Sequence, residues 1–493
     1  MSESDVEATS KIYPEKGIRQ GAKLSPTLYK AYNNDILDAL DKSKIGAKIG
    51  TVFAGAPTVA DDIALLATDP IDLSAALQIV HHFNCKDRAN INTTKSEIVI
   101  FNTPNRRTPE SWNIGEGVVK ETTSTIHLGI QRHQQLQQNI PDRIATGRGA
   151  LYALMGAGLH GRNGINPTTS FHMYKTFARP RIIYGLESVK LTQKDLQQLE
   201  KFELKVLRQI QYLPDRCSSI PVYSLLGATP ITSQIEVNAL TLFSNICRSP
   251  ETTEYAIAKR QLAVKDADSH SWFIGTRQIL NKYNLPSAFE LLQAPPSPKV
   301  WKNTVKDAVD KYWRDKWVED QHTKSSLKYF KIQDKPASTP HPLWRSIDDN
   351  PRQVREAVVK ARVLTGTYTL QANKHKFNQH DVNPSCPLCH TGSENREHFL
   401  THCPALALVR KKYLSRLSHT LTSKTNANIA DHILANNELL LQCITDCTAC
   451  PVKDIIGNSE QVVHSVEDIS RSLIYDLHCK RNAILKGKLQ QNT

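Results

Sequence analysis

The spacing of apolar residues changes once along this chain of 493 residues, and that change limits the folds open to it. Up to residue 130 the apolar runs are short and divided by turn-forming residues, as in "TVFAGAPTVADDIALLATD", a pattern typical of strands joined by tight turns. Beyond that point apolar residues recur at intervals of three and four, which is typical of amphipathic helices. We therefore predict an α+β protein: a short antiparallel sheet with helices, followed by a mainly helical remainder.

Three helices stand out in the sequence. The first is predicted to begin with Ser25 as its N-cap and Pro26 in its first turn, and the second to cover residues 71–90. Thr192 and Asp195 have the spacing of a capping box at the start of the third. The residues predicted to face inward are Leu28, Tyr32, Ile36 and Leu40 in the first helix, Leu73, Leu77, Val80 and Phe83 in the second, and Leu196, Leu199, Phe202, Val206 and Ile210 in the third.

Asp61 and Asp62 stand side by side between two strand-like runs, which predicts a β-hairpin. Tight hairpin turns favour Gly and Asn, so two adjacent like charges are a poor choice for the turn alone. The pair is either a solvated turn or one corner of a metal site, and the residue types by themselves leave both interpretations open.

The segment "CPLCHTGSENREHFLTHC" has the spacing C-x2-C-x8-H-x4-C. Three thiolates and an imidazole suit Zn²⁺ with tetrahedral geometry, and a site filled by four protein ligands is structural rather than catalytic. We predict Cys386, Cys389, His398 and Cys403 as these ligands. His390 and His402 are rival ligands.

The net charge of +14 and the pI near 9.2 favour a polyanionic partner such as nucleic acid. No apolar run is long enough to cross a bilayer, and the start "MSESDVEATS" resembles neither a signal nor a transit peptide, so we expect an intracellular protein, nuclear or cytoplasmic, without membrane contact. Ten cysteines are then expected to be reduced.

Residues 301–331 interleave aromatic and basic side chains between two proline-rich segments. Such a stretch can stack bases and bind phosphates, or it can be an amphipathic helix with a solvated face. The aspartates in the same stretch favour the amphipathic helix.

Taken in order, four segments resemble motifs of the reverse transcriptases of non-LTR (LINE-type) retrotransposons. "GIRQGAKLSP" is similar to motif B, "VADDIALLA" to the catalytic hairpin of motif C, "NTTKSE" to motif D and "HLGI" to motif E. Downstream segments such as "RPRIIYGLE" and "YSLLGATPI" resemble the helical region after the thumb, and the cysteine group resembles the zinc knuckle near the end of many of these proteins.

The resemblance implies roles for individual residues. Asp61 would bind Mg²⁺ directly with Asp62 as its weaker neighbour, and Lys95 would donate a proton to pyrophosphate. The implied substrate- and template-binding residues are Gln20, Gly21, Ser25, Leu128 and Gly129. The implied cofactors are Mg²⁺ and structural Zn²⁺, and the implied partners are an RNA template and a DNA primer or target DNA.

Two departures from the family pattern affect these expectations. The aromatic residue two positions before the first aspartate is Val59 here. The family also places an aspartate upstream of motif B, in motif A, whereas Asp5 is the sole aspartate before Gly17. Asp35 and Asp38 lie along the motif B helix and are not expected to reach the hairpin.

We therefore expect a truncated RNA-directed DNA polymerase, using two-Mg²⁺ nucleotidyl transfer by family and inactive by itself. An alternative is a non-catalytic nucleic-acid-binding protein derived from a retroelement, and another is a chain that never folds stably. The expected regions are a partial palm (1–105), motif E with thumb and helical region (106–292), a basic aromatic helical region (293–380), a CCHC zinc knuckle (381–415) and a C-terminal helical segment (416–493).

Overall fold

A computed structural model gives the structure of the protein as two compact units. The first comprises residues 1–138 and 249–264, and the second comprises residues 139–248 and 265–493. Helices dominate and the sheets are small, which confirms the α+β prediction at that level. The residues described are 22–102, 110–135, 139–159, 164–332, 334–376, 381–457 and 459–491.

The first unit alternates two helices with short strands. The helices are Ser25–Ser43 (α1) and Pro70–Lys86 (α2). The strands are Lys48–Ile49 (β1), Val52–Phe53 (β2), Thr58–Val59 (β3), Asp62–Ile63 (β4), Glu97–Val99 (β5), Trp112–Ile114 (β6), Gly117–Thr122 (β7), Ser124–His127 (β8) and Ile130–His133 (β9).

These strands form three antiparallel pairs and one mixed sheet rather than a single antiparallel sheet. The pairs are β1–β2, β3–β4 and β8–β9. In the three-stranded sheet, β7 lies in the centre, parallel to β5 and antiparallel to β6. The predicted hairpin at residues 51–69 is confirmed, and its upstream apolar run supplies both β2 and β3.

Only the second half of α1 packs inward. Ile36 and Leu40 are buried against Ala76 and Val80 of α2. The prediction for the first half is wrong: Leu28 and Tyr32 are 49% and 50% exposed, because α2 packs only against the later turns. The second predicted helix is confirmed but ends at Lys86 rather than at residue 90.

The rest of the chain is helical in the residues described, apart from an isolated bridge between Ser385 and Ser393. The helix Thr253–Val264 (α9) belongs to the first unit by its contacts. The helices in chain order are Ile140–Met155 (α3), Pro167–Met173 (α4), Arg179–Ile183 (α5), Gln193–Ile210 (α6), Ser219–Ser224 (α7), Ile231–Cys247 (α8), α9, Trp272–Lys282 (α10), Ala288–Gln293 (α11), Pro298–Gln321 (α12), Pro342–Arg345 (α13), Pro351–Leu364 (α14), Gln371–Lys376 (α15), Ala407–Lys424 (α16), Ala427–Ala435 (α17), Asn437–Asp446 (α18), Val452–Ile456 (α19) and Glu460–Gln491 (α20).

The capping box of α6 is confirmed, with Thr192 and Asp195 each accepting from the other's backbone N–H. Deeper in the helix, Glu203 is fully buried and pairs with Arg179 at 3.2 Å. It also accepts from the Ile231 N–H at 2.6 Å. This carboxylate therefore joins the segments "RPRIIYGLE" and "YSLLGATPI", because Arg179 lies in the first and Ile231 in the second.

Five of the six aromatic residues of the predicted basic region are buried in the core. Trp301, Trp313 and Trp317 of α12 are buried, and the Trp301 indole donates to the Leu240 carbonyl of α8 at 3.1 Å. Buried rings cannot stack on bases, so the observed structure is the amphipathic helix with a charged outer face.

A second core joins α14, α16, α18 and α20. It includes Leu417, Cys443, Ile474 and two of the predicted zinc ligands, Cys386 and Cys403. The cysteine segment is thus packed into the helical body rather than standing apart from it. No helix within the described ranges is long and apolar enough to cross a bilayer.

Candidate functional site

The hairpin between β3 and β4 places only one of the two aspartates in its turn. Val59 pairs with Asp62, so the two turn residues are Ala60 and Asp61. Ala60 has a left-handed backbone with φ of 54°, which a tight two-residue turn requires but alanine adopts rarely. Asp61 therefore lies at the tip and Asp62 at the first position of the returning strand.

Both aspartate side chains are exposed, as is Val59 before them. The hairpin is tied to α1 by Asn33, whose buried side chain donates to the Ala60 carbonyl at 3.3 Å. Ile63, directly after Asp62, packs on the core shared by α1 and α2. The carboxylates thus project from an anchored turn into solvent.

No group of three or more potential ligands in the described ranges includes either aspartate. Asp35 pairs with Lys86 at 3.4 Å and Asp38 with Lys42 at 3.7 Å, so both are engaged elsewhere. Two carboxylates fit Mg²⁺ by ligand type, since Mg²⁺ prefers oxygen, but two-metal chemistry uses more than two.

The structure describes only part of the segment that resembles motif B. Gln20 and Gly21 lie outside the described residues. Ser25 is the first residue of α1 and not its N-cap; Leu24 occupies the N-cap position without a side-chain capping bond. Pro26 lies in the first turn, as predicted, but the helix begins one residue earlier than predicted, and the Leu24 carbonyl accepts from the Thr27 and Leu28 N–H groups, each at 3.1 Å.

Lys95 lies in the predicted turn before β5. The Lys95 N–H donates to the Asn92 carbonyl at 3.1 Å, and the side chain is exposed. Ile91 packs on the same core as Ile63. The turn with Lys95 and the hairpin with Asp61 are therefore anchored on one hydrophobic cluster.

Leu128 and Gly129 form the two-residue turn between β8 and β9. Both have positive φ, 52° for Leu128 and 72° for Gly129. A turn with two left-handed residues matches the twist of paired strands, but leucine adopts this backbone conformation at a cost. The segment "HLGI" thus forms the tip of a hairpin.

The four predicted zinc ligands come together. Their ligand atoms all lie within 4.8 Å of one another, and His390 and His402 are not part of the group. The Cys386 and Cys403 sulfurs are 3.9 Å apart, and the Cys389 sulfur is 3.3 Å from the His398 Nε2. Tetrahedral zinc with bonds of about 2.3 Å to sulfur and about 2.0 Å to nitrogen requires separations of about 3.8 Å and about 3.6 Å. The donor set and its spacing fit Zn²⁺.

Two backbone features produce this convergence. The Cys386 N–H donates to the Gly392 carbonyl at 2.7 Å, and His390 has φ of 59°, which together close the first pair of cysteines into a tight loop. His398–His402 is one turn of π-helix, in which the Cys403 N–H donates to the His398 carbonyl at 2.8 Å. This wider turn places residues five apart on one side, which explains the H-x4-C spacing.

The local environment shifts the pKa values of the three cysteines in different directions. Burial raises the pKa of Cys386 and of Cys403. Burial also opposes ionisation of Cys389, but hydrogen bonds with Thr391, Cys386 and Cys403 together outweigh it and lower the pKa of this thiol. Burial lowers the pKa of His398, which favours the neutral imidazole that binds metal. Buried thiols of this kind gain from a cation that stabilises their thiolates.

No sequence pattern indicated the residues that hold this loop in place. Glu394, within the loop, accepts two hydrogen bonds from Arg481 of α20 at 2.7 and 2.9 Å. Arg410 of α16 donates to the Cys403 carbonyl. Glu394 and Arg481 are 87 positions apart, so no local pattern connects them.

Comparisons with known proteins bear on the first unit most directly. A family model described as reverse transcriptase (RNA-dependent DNA polymerase) matches residues 3–132. The Retrovirus-related Pol polyprotein from type-1 retrotransposable element R2 of Popillia japonica is 24% identical over 212 residues, which is 42% of this chain and 34% of that protein. The chain thus spans about a third of the curated relative it matches. Residues 3–132 are thus similar to the reverse transcriptases, and the two matches together support a reverse transcriptase of the non-LTR retrotransposon type for this part of the chain.

Proposed function

We propose that the first unit is part of the palm of an RNA-directed DNA polymerase, which extends a DNA primer or a nicked target DNA along an RNA template. The observation that carries this proposal is the β3–β4 hairpin, which presents Asp61 and Asp62 to solvent within the region matched by the reverse transcriptase model. The thumb would follow in the helices after β9.

In this proposal each site residue has one task. Asp61 binds Mg²⁺ from the hairpin tip, and Asp62 adds a second carboxylate beside it. Bound Mg²⁺ would supply charge neutralisation at the phosphates and activation of the primer hydroxyl. Lys95 donates a proton to the departing pyrophosphate, because its ammonium is exposed on a turn anchored beside the hairpin.

The remaining residues position the nucleic acids. Gln20, Gly21 and Ser25 contact the template and the nascent base pair by resemblance, and the hairpin tip of Leu128 and Gly129 presses on the primer end. The tight turn supports the last role, because two left-handed residues hold the tip in a fixed shape.

We also propose that the 493-residue chain by itself is a weak or inactive polymerase. Across the described residues, Asp61 and Asp62 have no third carboxylate in a common metal-binding group. Charge stabilisation by positioned ligands supplies much of the rate acceleration in such catalysis, so a missing ligand lowers the rate by orders of magnitude.

In the second unit, Cys386, Cys389, His398 and Cys403 would hold one structural Zn²⁺. The spacing of the sulfur and nitrogen atoms supports this, and four protein ligands leave no open position for substrate.

A primer-extension assay tests the proposal, with an RNA template, a DNA primer and Mg²⁺. We expect little synthesis by the chain alone. Robust synthesis that Asp61→Asn abolishes would support the palm assignment and refute the proposed inactivity. Asp41→Asn, an exposed aspartate at the end of α1, is the matched control and should change nothing. Synthesis that survives Asp61→Asn would refute the role of Asp61.

A further inference from the structure

The helix α16 has an unusual charge composition. Between Glu397 and Asp431 the chain has no acidic residue, while α16 alone carries five lysines and arginines. The helix directly follows the four predicted zinc ligands, since Cys403, the last of them, lies four residues before it.

One side of α16 packs inward and the other is a cationic surface. Tyr413, Leu417 and Leu421 are buried. The exposed side, which we call the α16 face, consists of Leu408, Lys411, Lys412, Ser415, Arg416, His419, Thr422 and Ser423. These residues follow the helical period and form one continuous stripe.

Two cations of the α16 face lie against an aromatic ring at the surface. Lys412 and Arg416 lie over the Tyr413 ring at 5.1 and 5.4 Å. Within the described ranges Lys411, Lys412 and Arg416 form no ion pair with an acidic side chain. The nearby carboxylate of Asp476 accepts from the Tyr413 hydroxyl at 2.5 Å.

The chemistry of this face fits a phosphate backbone better than a lipid surface. A membrane-binding helix presents a broad apolar side to the bilayer, whereas here that side is buried and only Leu408 is an exposed large apolar residue. Lysine, arginine and hydroxyl side chains are the common partners of nucleic-acid phosphates. At about 1.5 Å per residue the helix is long enough to follow several successive phosphates.

We propose that Lys411, Lys412 and Arg416 on the α16 face bind the phosphodiester backbone of single-stranded RNA. The choice of RNA rests on the proposed function, which gives this chain an RNA template; the cationic surface itself does not depend on it. With buried aromatic residues and no stacking platform on this face, the binding is independent of base sequence.

The salt dependence of RNA binding by the full chain tests this proposal. Each phosphate contact with single strands contributes about 0.7 to the slope of log K against log salt, so replacing three cations should reduce that slope by about 2. We would measure the anisotropy of a labelled oligouridine RNA in zinc-containing buffer without Mg²⁺, comparing the wild type with Lys411→Gln/Lys412→Gln/Arg416→Gln.

A second triple variant removes the same charge elsewhere. Lys299, Lys302 and Lys306 are exposed on α12, where Asp307 interrupts the basic residues. Their replacement by Gln should leave the slope close to that of the wild type. Circular dichroism and thermal melting check that both variants fold, which is expected because all six side chains are exposed.

Three results would overturn the proposal. Equal loss in both variants would show an effect of net charge, and unchanged binding in the α16 variant would show that the face is not used. Binding of phosphatidylserine vesicles that needs the three cations while RNA binding does not would assign the face to membranes. None of these measurements depends on Mg²⁺ or Asp61. A negative result for the α16 face therefore leaves the proposed polymerase site unaffected, and a negative result for Asp61 leaves the α16 face unaffected.

Discussion

At the scale of single residues, Gly227 in "YSLLGATPI" requires the absence of a side chain. Its backbone is left-handed with φ of 62°, and an added Cβ would lie 2.5 Å from the Pro340 nitrogen. Gly227→Ala should therefore destabilise the second unit by about 2 kcal/mol or more. Thermal unfolding followed by tryptophan fluorescence measures this, because five of the six tryptophans lie in that unit.

Gly149 in α3 is the control for that substitution. It is exposed in a helix, and an added Cβ would meet nothing within 4 Å. Gly149→Ala should raise stability by about 0.5–1 kcal/mol through helix propensity. If Gly227→Ala left the unfolding midpoint unchanged or raised it, the close approach of residues 338–340 to Gly227 would be wrong.

The environment of His478 in α20 makes the stability of the protein depend on pH. Burial, together with Arg481 and Arg362, lowers the pKa of this imidazole, and its Nδ1 lies 2.7 Å from the Tyr368 hydroxyl. The unfolded chain then binds the proton more readily than the folded chain does. The contribution of neutral His478 to the free energy of unfolding is therefore fully present above the unfolded pKa of about 6.5, and it is lost as the pH falls below that value.

His478→Asn should therefore flatten the fall of the unfolding midpoint between about pH 7 and 6. His464→Asn, at an exposed position on the same helix, should leave the wild-type profile unchanged. Both profiles are measured with saturating zinc, so that metal release does not contribute. A wild-type slope in the His478 variant would contradict the account.

At the scale of elements, the loop from residue 385 to residue 403 joins metal binding to the helical core. Cys386 and Cys403 are core residues, and Glu394 ties the loop to Arg481. A structural metal in such a loop contributes directly to folding. Removing it should therefore loosen α16 and α20 as well as the loop.

Cys386→Ser should abolish tight zinc binding and increase amide hydrogen exchange in the loop, α16 and α20. Cys450→Ser changes an exposed cysteine outside the cluster and should retain one zinc per chain by elemental analysis. Exchange in α1 and α2 should be the same in both variants, because these helices belong to the other unit. If the increase in amide exchange were limited to the loop itself, the metal would not support the helical core.

Sequence patterns predicted elements whose signals are local. The capping box at Thr192 and the hairpin around Asp61 depend on neighbouring residues, and both were found. The C-x2-C-x8-H-x4-C spacing likewise identified four side chains that converge, because short loops bring them together.

Sequence patterns failed where distant packing decides the outcome. Leu28 and Tyr32 have helical spacing, yet periodicity does not show whether another element covers them. The aspartates among the tryptophans of α12 favoured an amphipathic helix, which the structure has, but the pattern did not show that these rings are buried. Glu394 and Arg481 meet only because α20 packs beside the loop, which no local pattern records.

At the scale of the whole molecule, the chain combines a first unit of short hairpins with a second unit of helices around buried charge. Lys360 and Glu467 pair at 2.8 Å with both side chains fully buried. Removing one partner of such a pair is strongly destabilising, because it leaves an uncompensated buried charge. The two proposed metal sites differ in kind: the first unit offers exposed carboxylate oxygens, whereas the second offers sulfur and nitrogen atoms that are buried or partly buried.

The most direct test of the central claim locates a divalent cation at the hairpin. Fe²⁺ in place of Mg²⁺, with ascorbate and peroxide, cleaves the backbone next to its site in zinc-loaded protein. If Asp61 and Asp62 hold the cation, we expect cleavage within residues 58–64. This cleavage should be suppressed by excess Mg²⁺, lost in Asp61→Asn and kept in Asp41→Asn. Cleavage that is absent from this hairpin, or that persists in Asp61→Asn, would contradict the assignment of these aspartates to a polymerase metal site.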